Sequence, residues 1–264
     1  MMLEILICTI DEGISRAIKV PLSQKVEQVC YLISWQQSKD IDFNIPKNIQ
    51  DRTDIRIVTL KGKGLSRNRN HAFAHAKGDI LLLSDDDTHY EPIWFENILS
   101  SFARYHEADI LLFQATNEHH LPIKEYPAHK FYYNDRPRKT YFSSCEIAMR
   151  RETNFLHFDE RFGLAADFLN CGEEEIFLHN ANKNGKTIIY IPTPIVRTRQ
   201  ETTGTHFATN SKVRRSKGAV LCVIHGPFSA ILRCIKFTLT HKGFNKLRAL
   251  KDMLDGIFYI MRHE

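Results

Sequence analysis

The sequence has little cysteine, and the cysteines that it has follow no pattern. Six of them, among 264 residues, stand at positions 8, 30, 145, 171, 222 and 234, without a C-x-x-C pair or a regular spacing. A disulfide framework is typical of short secreted chains, and a zinc cluster needs ligands at fixed spacings. We therefore expect reduced, buried thiols in a cytoplasmic protein.

Long apolar runs, leader segments and repeats are also missing. No apolar run approaches the roughly 20 residues that span a bilayer. The opening "MMLEILICTIDEG" has no basic leader and no small-residue cleavage site, so we expect no signal peptide. There is no internal repeat, and a composition of 43% hydrophobic and 25% charged residues is that of a globular protein. The length allows one large domain or two small ones.

Acidic residues are scarce at the end of the chain. Residues 206–264 contain 11 Lys and Arg against 3 Asp and Glu, whereas the whole chain has a net charge of only +5. Apolar groups alternate with these basic residues, and Pro227 and Gly243 divide the segment into short helices. A basic amphipathic helix can lie on an anionic membrane surface. Alternatively, the apolar stripe packs on the body or on a second subunit while the charges stay solvated.

Short apolar strands alternating with helical patterns make up most of the remaining chain. We predict strands at residues 3–10, 29–35, 55–60, 80–84, 109–115 and 187–192. Helices are predicted after Gly64, with Gly78 as the stop, and over residues 94–107. This alternation is typical of a mostly parallel α/β sheet flanked by helices. Ligands of such sheets bind beyond the carboxyl ends of the strands.

Three carboxylates, Asp85, Asp86 and Asp87, follow the apolar strand "ILLLS". Alternate side chains of an extended segment lie on the same side, so we expect Asp85 and Asp87 to converge while Asp86 points elsewhere. Two converging carboxylates suit Mg²⁺ or Mn²⁺. A turn or a helix N-cap would need only one Asp. The triplet therefore favours a metal site.

Three further segments could bind or catalyse, but each has an ordinary structural alternative. Residues 173–175 in "CGEEEIFLHNANKNGK" start a helical pattern, as a stabilised first turn or as a source of a general base. The "GKGLSRNRN" segment could hold a phosphate or be a solvated basic loop, and it matches no phosphate-loop fingerprint. The loop "RQETTGTH" ends in His206, which could bind a metal or a phosphate, although a lone histidine usually has no such role.

Taken in order, five segments resemble the inverting glycosyltransferase family 2, whose members have the GT-A fold. The segments are "LICTI", "GLSRNRN", "GDILLLSDDD", "FDERF" and "GEEE", and they cover residues 3 to about 206. The resemblance implies an α/β, GT-A (nucleotide-diphospho-sugar transferase) fold. It implies a domain over residues 1–205, with a nucleotide-sugar-binding half (1–116) and an acceptor-binding half (117–205). A basic, mainly helical extension over residues 206–264 follows.

The resemblance also implies roles for single residues. It makes Thr9 a base-contacting residue and places four residues around the nucleotide: Gly64, Ser66, Arg69 and Asn70. Asp85 and Asp87 become the ribose and metal–diphosphate ligands, with Asp86 beside them. Glu174 stands where the family has its catalytic Asp. His206 is an approximate match to a late histidine of the family and a further candidate metal ligand.

The sequence departs from the family pattern in three places. Where the second strand of the family commonly ends in a "DDGS"-like turn that grips the base, this chain has "SWQQSKD", with Gln36 at about that position. The first strand ends "CTIDEG" instead of a "PTYN"-like sequence. Both departures leave the donor nucleotide open. Glu in place of the catalytic Asp adds one methylene, which changes its reach by about 1.5 Å.

Together these features predict a metal-dependent inverting glycosyltransferase with a nucleotide-diphosphate sugar donor and Mn²⁺ or Mg²⁺ as cofactor. We expect a glycan or lipid-linked glycan acceptor over residues 117–144, in bacterial surface-polysaccharide or glycan synthesis. We expect a cytoplasmic protein, with peripheral contact to the inner face of the plasma membrane left open. No nucleic-acid partner is expected, and a homo-oligomer stays open.

Two other classes of function remain. One is a non-catalytic nucleotide-sugar-binding module, which release of sugar from a donor would separate from an enzyme. The other is a Mg²⁺-dependent phosphodiesterase or nuclease, suggested by the clustered carboxylates and the basic tail. The lack of a His-rich metal motif and the order of the family segments argue against this second class.

Overall fold

The computed structural model describes residues 1–153, 156–198 and 203–263. The chain forms two compact units. The first comprises Met1–Lys63, Arg67–His157 and Asn180–Gln200, and the second comprises Gly64–Ser66, Phe158–His179 and Glu201–Glu264. The units interleave along the chain, so their bounds do not test the division into domains at residues 1–205 and 206–264. That division stays a prediction.

An eight-stranded sheet forms the centre of the first unit. Its strands are β1 (Leu3–Ile10), β2 (Val29–Gln37), β3 (Ile55–Lys61), β4 (Ile80–Asp85), β5 (Ile110–Thr116), β6 (Phe131–Tyr132), β7 (Ile147–Arg150) and β8 (Ile188–Arg197). The order across the sheet is β3-β2-β1-β4-β7-β5-β8-β6. Strands β3, β2, β1 and β4 are parallel neighbours, and so are β5 and β8. The mostly parallel sheet is therefore confirmed.

Two strands were not predicted from the sequence. Strand β7 pairs antiparallel with both β4 and β5, and the edge strand β6 pairs antiparallel with β8. They contain only four and two residues, which is too short for a periodicity to be visible. Each of the six predicted strands is present.

Helices cover the sheet of the first unit. The described helices along this part of the chain are α1 (Ile14–Ala17), α2 (Lys47–Gln50), α3 (Leu65–His75) and α4 (Pro92–Arg104). Helix α4 begins with Pro92 in its first turn, where the missing N–H costs nothing. Its buried face contributes four aromatic and aliphatic side chains to the core under the sheet: Trp94, Phe95, Ile98 and Phe102.

One charged residue, Glu4, lies fully buried in the apolar strand β1. Its carboxylate accepts hydrogen bonds from the Arg56 guanidinium at 2.6 Å and from the backbone N–H groups of Lys77 and Gly78 at 2.5 and 2.7 Å. A Cβ on Gly78 would collide with the Glu4 side chain, so glycine is needed there. This network fixes the turn that leads into β4 against β1.

The second unit is a helical bundle built on α6 (Ser211–His225), α7 (Pro227–Thr240) and α8 (Lys246–Arg262), together with the start of α5 (Glu173–Lys183). Gly218 and Gly256 let α6 and α8 approach so closely that a Cβ at either would meet the other helix's backbone. A buried ion pair joins Arg214 to Asp252 at 2.6 Å. The predicted C-terminal helices are confirmed. Within the described residues, no helix combines the length and apolar character needed to cross a membrane.

The cysteines are all free thiols. Four of them are buried, and Cys30 and Cys171 are half-buried. Burial raises the pKa of Cys8 to about 12, so its unreactive protonated form dominates at neutral pH. The expected burial therefore holds for four of the six cysteines and not for Cys30 and Cys171.

Candidate active site

A pocket of about 880 Å³ lies in the first unit beside the turn that follows β4. Asp86 and Asp87 line it, together with three cationic side chains: Arg16, Lys19 and Arg197. Two histidines, His89 and His119, contribute to the same wall. Cation-lined pockets with carboxylates suit an anionic ligand held together with a divalent metal ion.

The Asp triplet spans the end of a strand and the turn that follows it. We expected Asp85 and Asp87 to converge and Asp86 to point elsewhere. Asp86 and Asp87 are among the residues that line the pocket, and the convergence of Asp85 and Asp87 stays a prediction. Strand β4 ends at Asp85, and the next two residues form a turn. Side chains alternate only while the backbone is extended, so the alternation does not extend to Asp86 and Asp87.

Asp86 is anchored to the first strand and to helix α1. Its carboxylate accepts a hydrogen bond from Thr9 Oγ1 at 2.6 Å and from the Arg16 guanidinium at 2.9 to 3.2 Å. Gly13 makes this approach feasible, because a Cβ there would overlap Thr9 Oγ1 and Asp86 Oδ2. Arg16 is 56% exposed, so its charge is also available to a ligand in the pocket.

Asp85 has different partners. Ser144 Oγ donates to both of its carboxylate oxygens, at 3.2 and 3.1 Å, and the buried Arg69 guanidinium lies 3.4 Å from Oδ1. Ser143 and Glu146 form a capping box around Ser144. Glu146 is itself buried and accepts from Lys124 Nζ at 2.6 Å and from the Tyr126 hydroxyl. Asp85 is therefore held by a rigid set of buried groups.

Sequence analysis missed Asn68, which joins three elements. Its amide donates to the Thr9 carbonyl at 2.9 Å and to the Ser34 carbonyl at 3.1 Å, and it accepts from Ser34 Oγ at 2.6 Å. Helix α3 is thereby fixed against the ends of β1 and β2. His71, one turn further, lies 2.9 Å from Ser34 Oγ, and burial lowers its pKa below the ordinary 6.5. Asn68 stands within "GLSRNRN", and that position in the motif was the only signal for it.

Gln36 and Thr9 lie at the ends of neighbouring strands. In the register of β1 and β2, Thr9 is paired with Trp35 and Ile10 with Gln36. Gln36 is only 1% exposed, and its Nε2 has no hydrogen-bond partner among the described residues. Close by, Ser38 donates to Asp11 from its backbone and its hydroxyl, which holds the pKa of Asp11 below its usual value. Whether Thr9 and Gln36 contact a base stays a prediction.

Two of the predicted nucleotide-border residues belong to the second unit. Gly64 has a φ of +113°, a conformation that favours glycine. Ser66 is buried, and its hydroxyl donates to the Phe162 carbonyl at 2.6 Å. This bond links the "GLSRNRN" and "FDERF" segments, two of the five that carried the resemblance. The other two border residues, the buried Arg69 and the half-buried Asn70, belong to the first unit.

The Glu triplet begins helix α5, as predicted. Glu173 is buried, with its carboxyl group close to where a Cβ on Gly163 would lie, whereas Glu174 and Glu175 are half-buried. Half-burial leaves part of the Glu174 side chain accessible to a substrate. Its catalytic role stays a prediction.

His206 lies in a short 3-10 helix, Thr203–Ala208, of the second unit, and its side chain is exposed. Residues 199–202 of the loop before it lie outside the described residues. Among the residues that are described, no group of three or more His, Cys, Asp or Glu forms a ready metal cluster. The assignment of His206 as a metal ligand stays a prediction.

A mostly parallel sheet, with an Asp-rich turn at one strand end and a helix opened by "GLSRNRN", is the arrangement that the resemblance implied. The comparisons with known proteins agree. Residues 36–160 match the model of the family described as Glycosyl transferase family 2, so the resemblance is confirmed over that segment. The match includes the Asp triplet but not Thr9, Glu174 or His206. A sequence comparison with curated proteins found no match.

Solved structures similar to this chain include several of S. aureus TarS. Residues 1–349 of TarS align with a TM-score of 0.63 and 16% identity, covering 97% of this chain and 81% of that chain. The same fragment in complex with UDP-GlcNAc aligns with a TM-score of 0.57 and 15% identity, covering 97% and 82%. At such identities the likeness shows the fold, and the GT-A fold is confirmed.

Proposed function

We propose that the protein is a metal-dependent inverting glycosyltransferase, which moves a sugar from a nucleotide-diphosphate sugar to an acceptor hydroxyl. The family match and the fold support a nucleotide-sugar glycosyltransferase. The observation that carries the finer proposal is the pocket that Asp86 and Asp87 line together with Arg16, Lys19 and Arg197. These cations match the negative charge of a diphosphate.

The donor set fits a hard divalent cation. Mg²⁺ and Mn²⁺ bind proteins through one or two carboxylates and take their other ligands from water and substrate phosphates. In this proposal Asp87 and Asp85 hold the ion, with His206 as a further candidate. When bound, the ion would neutralise the negative charge that develops on the departing diphosphate. No larger protein cluster is needed for that role.

The nucleotide is bound, in this proposal, by the residues that the resemblance assigned. Thr9 and Gln36 contact the base, and the unpartnered amide of Gln36 supports that role, because a buried N–H group needs an acceptor. Arg69 keeps Asp85 in place for the ribose. Three further residues border the nucleotide beside Asp86: Gly64, Ser66 and Asn70.

Glu174 is proposed as the general base. Its carboxylate takes the proton of the acceptor hydroxyl while the hydroxyl oxygen forms a bond to the anomeric carbon. The bond between that carbon and the diphosphate oxygen breaks, and its electron pair leaves with the diphosphate. Because the attack comes from the face opposite the leaving group, the anomeric configuration inverts. General-base catalysis of this kind contributes about 10²–10⁴-fold to a rate.

The acceptor is proposed to be a glycan or lipid-linked glycan in bacterial surface-polysaccharide synthesis, bound over residues 117–144. Exposed rings, Tyr132 and Tyr141, lie in that segment and are suited to packing against sugar faces. Lys124 lies 4.2 Å from the centre of the Tyr141 ring and is paired with Glu146, which helps to hold the segment in place.

A panel of nucleotide sugars tests the proposal. Because the TarS fragment was solved with UDP and with UDP-GlcNAc, uridine diphosphate sugars are the first donors to try. We expect one donor to raise the melting temperature only when Mn²⁺ or Mg²⁺ is present, and to release its nucleoside diphosphate when an acceptor glycan is added. Stabilisation without any release would favour the binding module. Cleavage of a phosphodiester without sugar transfer would favour the phosphodiesterase.

A further inference from the structure

The outer face of helix α7 carries an apolar stripe that the described residues leave exposed. Four large apolar side chains recur at the spacing i, i+4, i+7 and i+11, which is one face of a helix: Phe228, Leu232, Ile235 and Leu239. Phe228 is 85% exposed, and Leu232 and Leu239 are each 69% exposed. The opposite face is buried in the core of its unit: Ala230, Cys234 and Thr238. Apolar side chains therefore cover both faces, but only one is packed.

The stripe continues into the first turn of helix α8. Lys246 Nζ donates to the Leu239 carbonyl at 3.1 Å, so the start of α8 lies against the end of α7. Leu247, the next residue, is 83% exposed. Contiguous apolar surface of this kind is uncommon on a monomeric protein unless a partner covers it.

The segment that carries the stripe has charges of one sign. Residues 203–251 contain 10 Lys and Arg and no Asp or Glu. Six of these cations are exposed on α7, on α8 or in the turn between them: Arg233, Lys236, Lys242, Lys246, Arg248 and Lys251. The first acidic residue after them, Asp252, is buried and paired with Arg214. The partner of this surface must therefore supply negative charge and apolar contact together.

We propose that the outer face of α7, with the first turn of α8, docks on an anionic phospholipid surface. Phe228, Leu232 and Leu239 would enter the boundary between headgroups and acyl chains, while the flanking cations bind anionic headgroups. Each Lys or Arg close to such a surface strengthens binding about fivefold. This docking would bring the proposed transferase to a lipid-linked acceptor, but the binding itself does not depend on the reaction.

A second copy of the chain fits the same face less well. Two copies docked through α7 would place two cationic surfaces against each other, and like charges in contact oppose association. An acidic protein groove would supply the charge, and the experiment below distinguishes it from lipid, because vesicles contain no protein.

Cosedimentation of the full chain with vesicles tests the proposal. One vesicle preparation contains phosphatidylglycerol mixed with phosphatidylcholine, and the other contains phosphatidylcholine alone. We expect the chain to sediment with the anionic vesicles at low salt and to be released at high salt, since salt screens exposed charges. A chain that stays in the supernatant with anionic vesicles at low salt would overturn the inference.

Two pairs of variants separate the apolar and the charged contributions. Leu232→Ser with Leu239→Ser should weaken vesicle binding at least about tenfold, whereas Ile93→Ser, at an exposed position of α4, should bind as the wild type does. Arg233→Glu with Lys236→Glu should remove the preference for anionic vesicles. The matched exchange of two exposed lysines in the first unit, Lys25→Glu with Lys47→Glu, should keep that preference.

Two results with the variants would overturn the inference. The first is wild-type binding by both α7 variants. The second is an oligomer that dissociates in the Leu232→Ser, Leu239→Ser variant, because a second copy would then cover the face. Thermal melts verify that each variant is folded. If the chain transfers sugar to a soluble acceptor but does not bind vesicles, only this inference is contradicted. If it binds vesicles but transfers no sugar, only the proposed function is contradicted.

Discussion

Residues 85–87 and residues 173–175 are both runs of three carboxylates, but the first follows a strand and the second begins a helix. In the first run each aspartate has its own surroundings. Asp85 binds Ser144 and Arg69, Asp86 binds Thr9 and Arg16, and Asp87 lines the pocket. In the second run, successive side chains rotate around the helix axis, so that Glu173 is buried while Glu174 and Glu175 are half-buried.

The difference teaches that the backbone decides how a run of like charges is stabilised and used. Cations and hydroxyl groups from distant parts of the chain compensate the aspartates. The glutamates lie in the first turn of α5, where the positive end of the helix dipole stabilises negative charge. A turn can therefore gather several carboxylates for a metal and a nucleotide. Along a helix, successive carboxylates point in different directions, so a single one can face the substrate as a base.

The largest expected effect concerns the base. Glu174→Gln keeps the shape of the side chain but cannot accept a proton, so we expect sugar transfer to fall by about 10²–10⁴-fold. Donor affinity should barely change, which isothermal titration would measure. Glu173→Gln and Glu175→Gln are the matched controls. Full activity in Glu174→Gln, with a loss in one of the neighbours, would move the role to that neighbour.

The second effect concerns the metal. Asp87→Ala removes a carboxylate that lines the pocket, so we expect the Mn²⁺-stimulated part of donor binding to fall at least about tenfold while the fold stays intact. Donor titrations with and without Mn²⁺ measure this part. Asp51→Ala, at an exposed position of the same unit, should behave as the wild type. Unchanged metal stimulation in Asp87→Ala would exclude Asp87 as a ligand.

The third effect concerns the packing around Asp86. Gly13→Ala places a methyl group against Thr9 Oγ1 and Asp86 Oδ2. We expect the free energy of unfolding to fall by about 1–3 kcal/mol, as overpacking of a close contact does. Urea titration measures it. The neighbouring Glu12→Ala removes only an exposed pair with Lys39 and should leave the free energy of unfolding nearly unchanged. Equal stability of the two variants would show that the loop simply moves aside.

The smallest effect concerns the ion pair of Asp86. Arg16→Ala leaves the hydrogen bond from Thr9 in place, and Arg16 is more than half exposed. We expect the free energy of unfolding to change by no more than about 1 kcal/mol, since solvent screens such a pair. Thermal melts at low and high salt measure it. A loss of several kcal/mol would mean that solvent does not screen the pair and that Asp86 behaves as a buried charge.

The sequence predicted the fold where information is local. Six strands follow from apolar runs bounded by turn residues, and their alternation with helices predicts the mostly parallel sheet. Strand β7 could not be predicted, because four residues carry no periodicity and its place between β4 and β5 depends on distant pairing. The exposure of the α7 stripe could not be predicted from the sequence for a similar reason. A pattern shows which face is apolar but not which face is covered.

The candidate site was also predictable from the sequence only in part. The Asp triplet and "GLSRNRN" were visible as motifs, and the family match includes both. The partners of the triplet were not, since Arg16 lies 70 positions from Asp86 and Ser144 lies 59 positions from Asp85. The alternation argument for Asp85 and Asp87 assumed that the strand continued, whereas β4 ends at Asp85, so their convergence stays a prediction. Motifs therefore identified the residues, but only the backbone assigned their directions.

The position of β7 has a consequence for the order in which the sheet can form. Strands β4 and β5 follow each other in the sequence, yet β7 lies between them in the sheet. During synthesis, a nascent chain that ends before residue 147 can hold β1 to β4 as one parallel piece, but β5 has no strand through which to join it. Both strands then present an unpaired edge, which is a risk for pairing with other chains. Strand β7 connects the two pieces, so they can become one sheet only after residues 147–150 have left the ribosome.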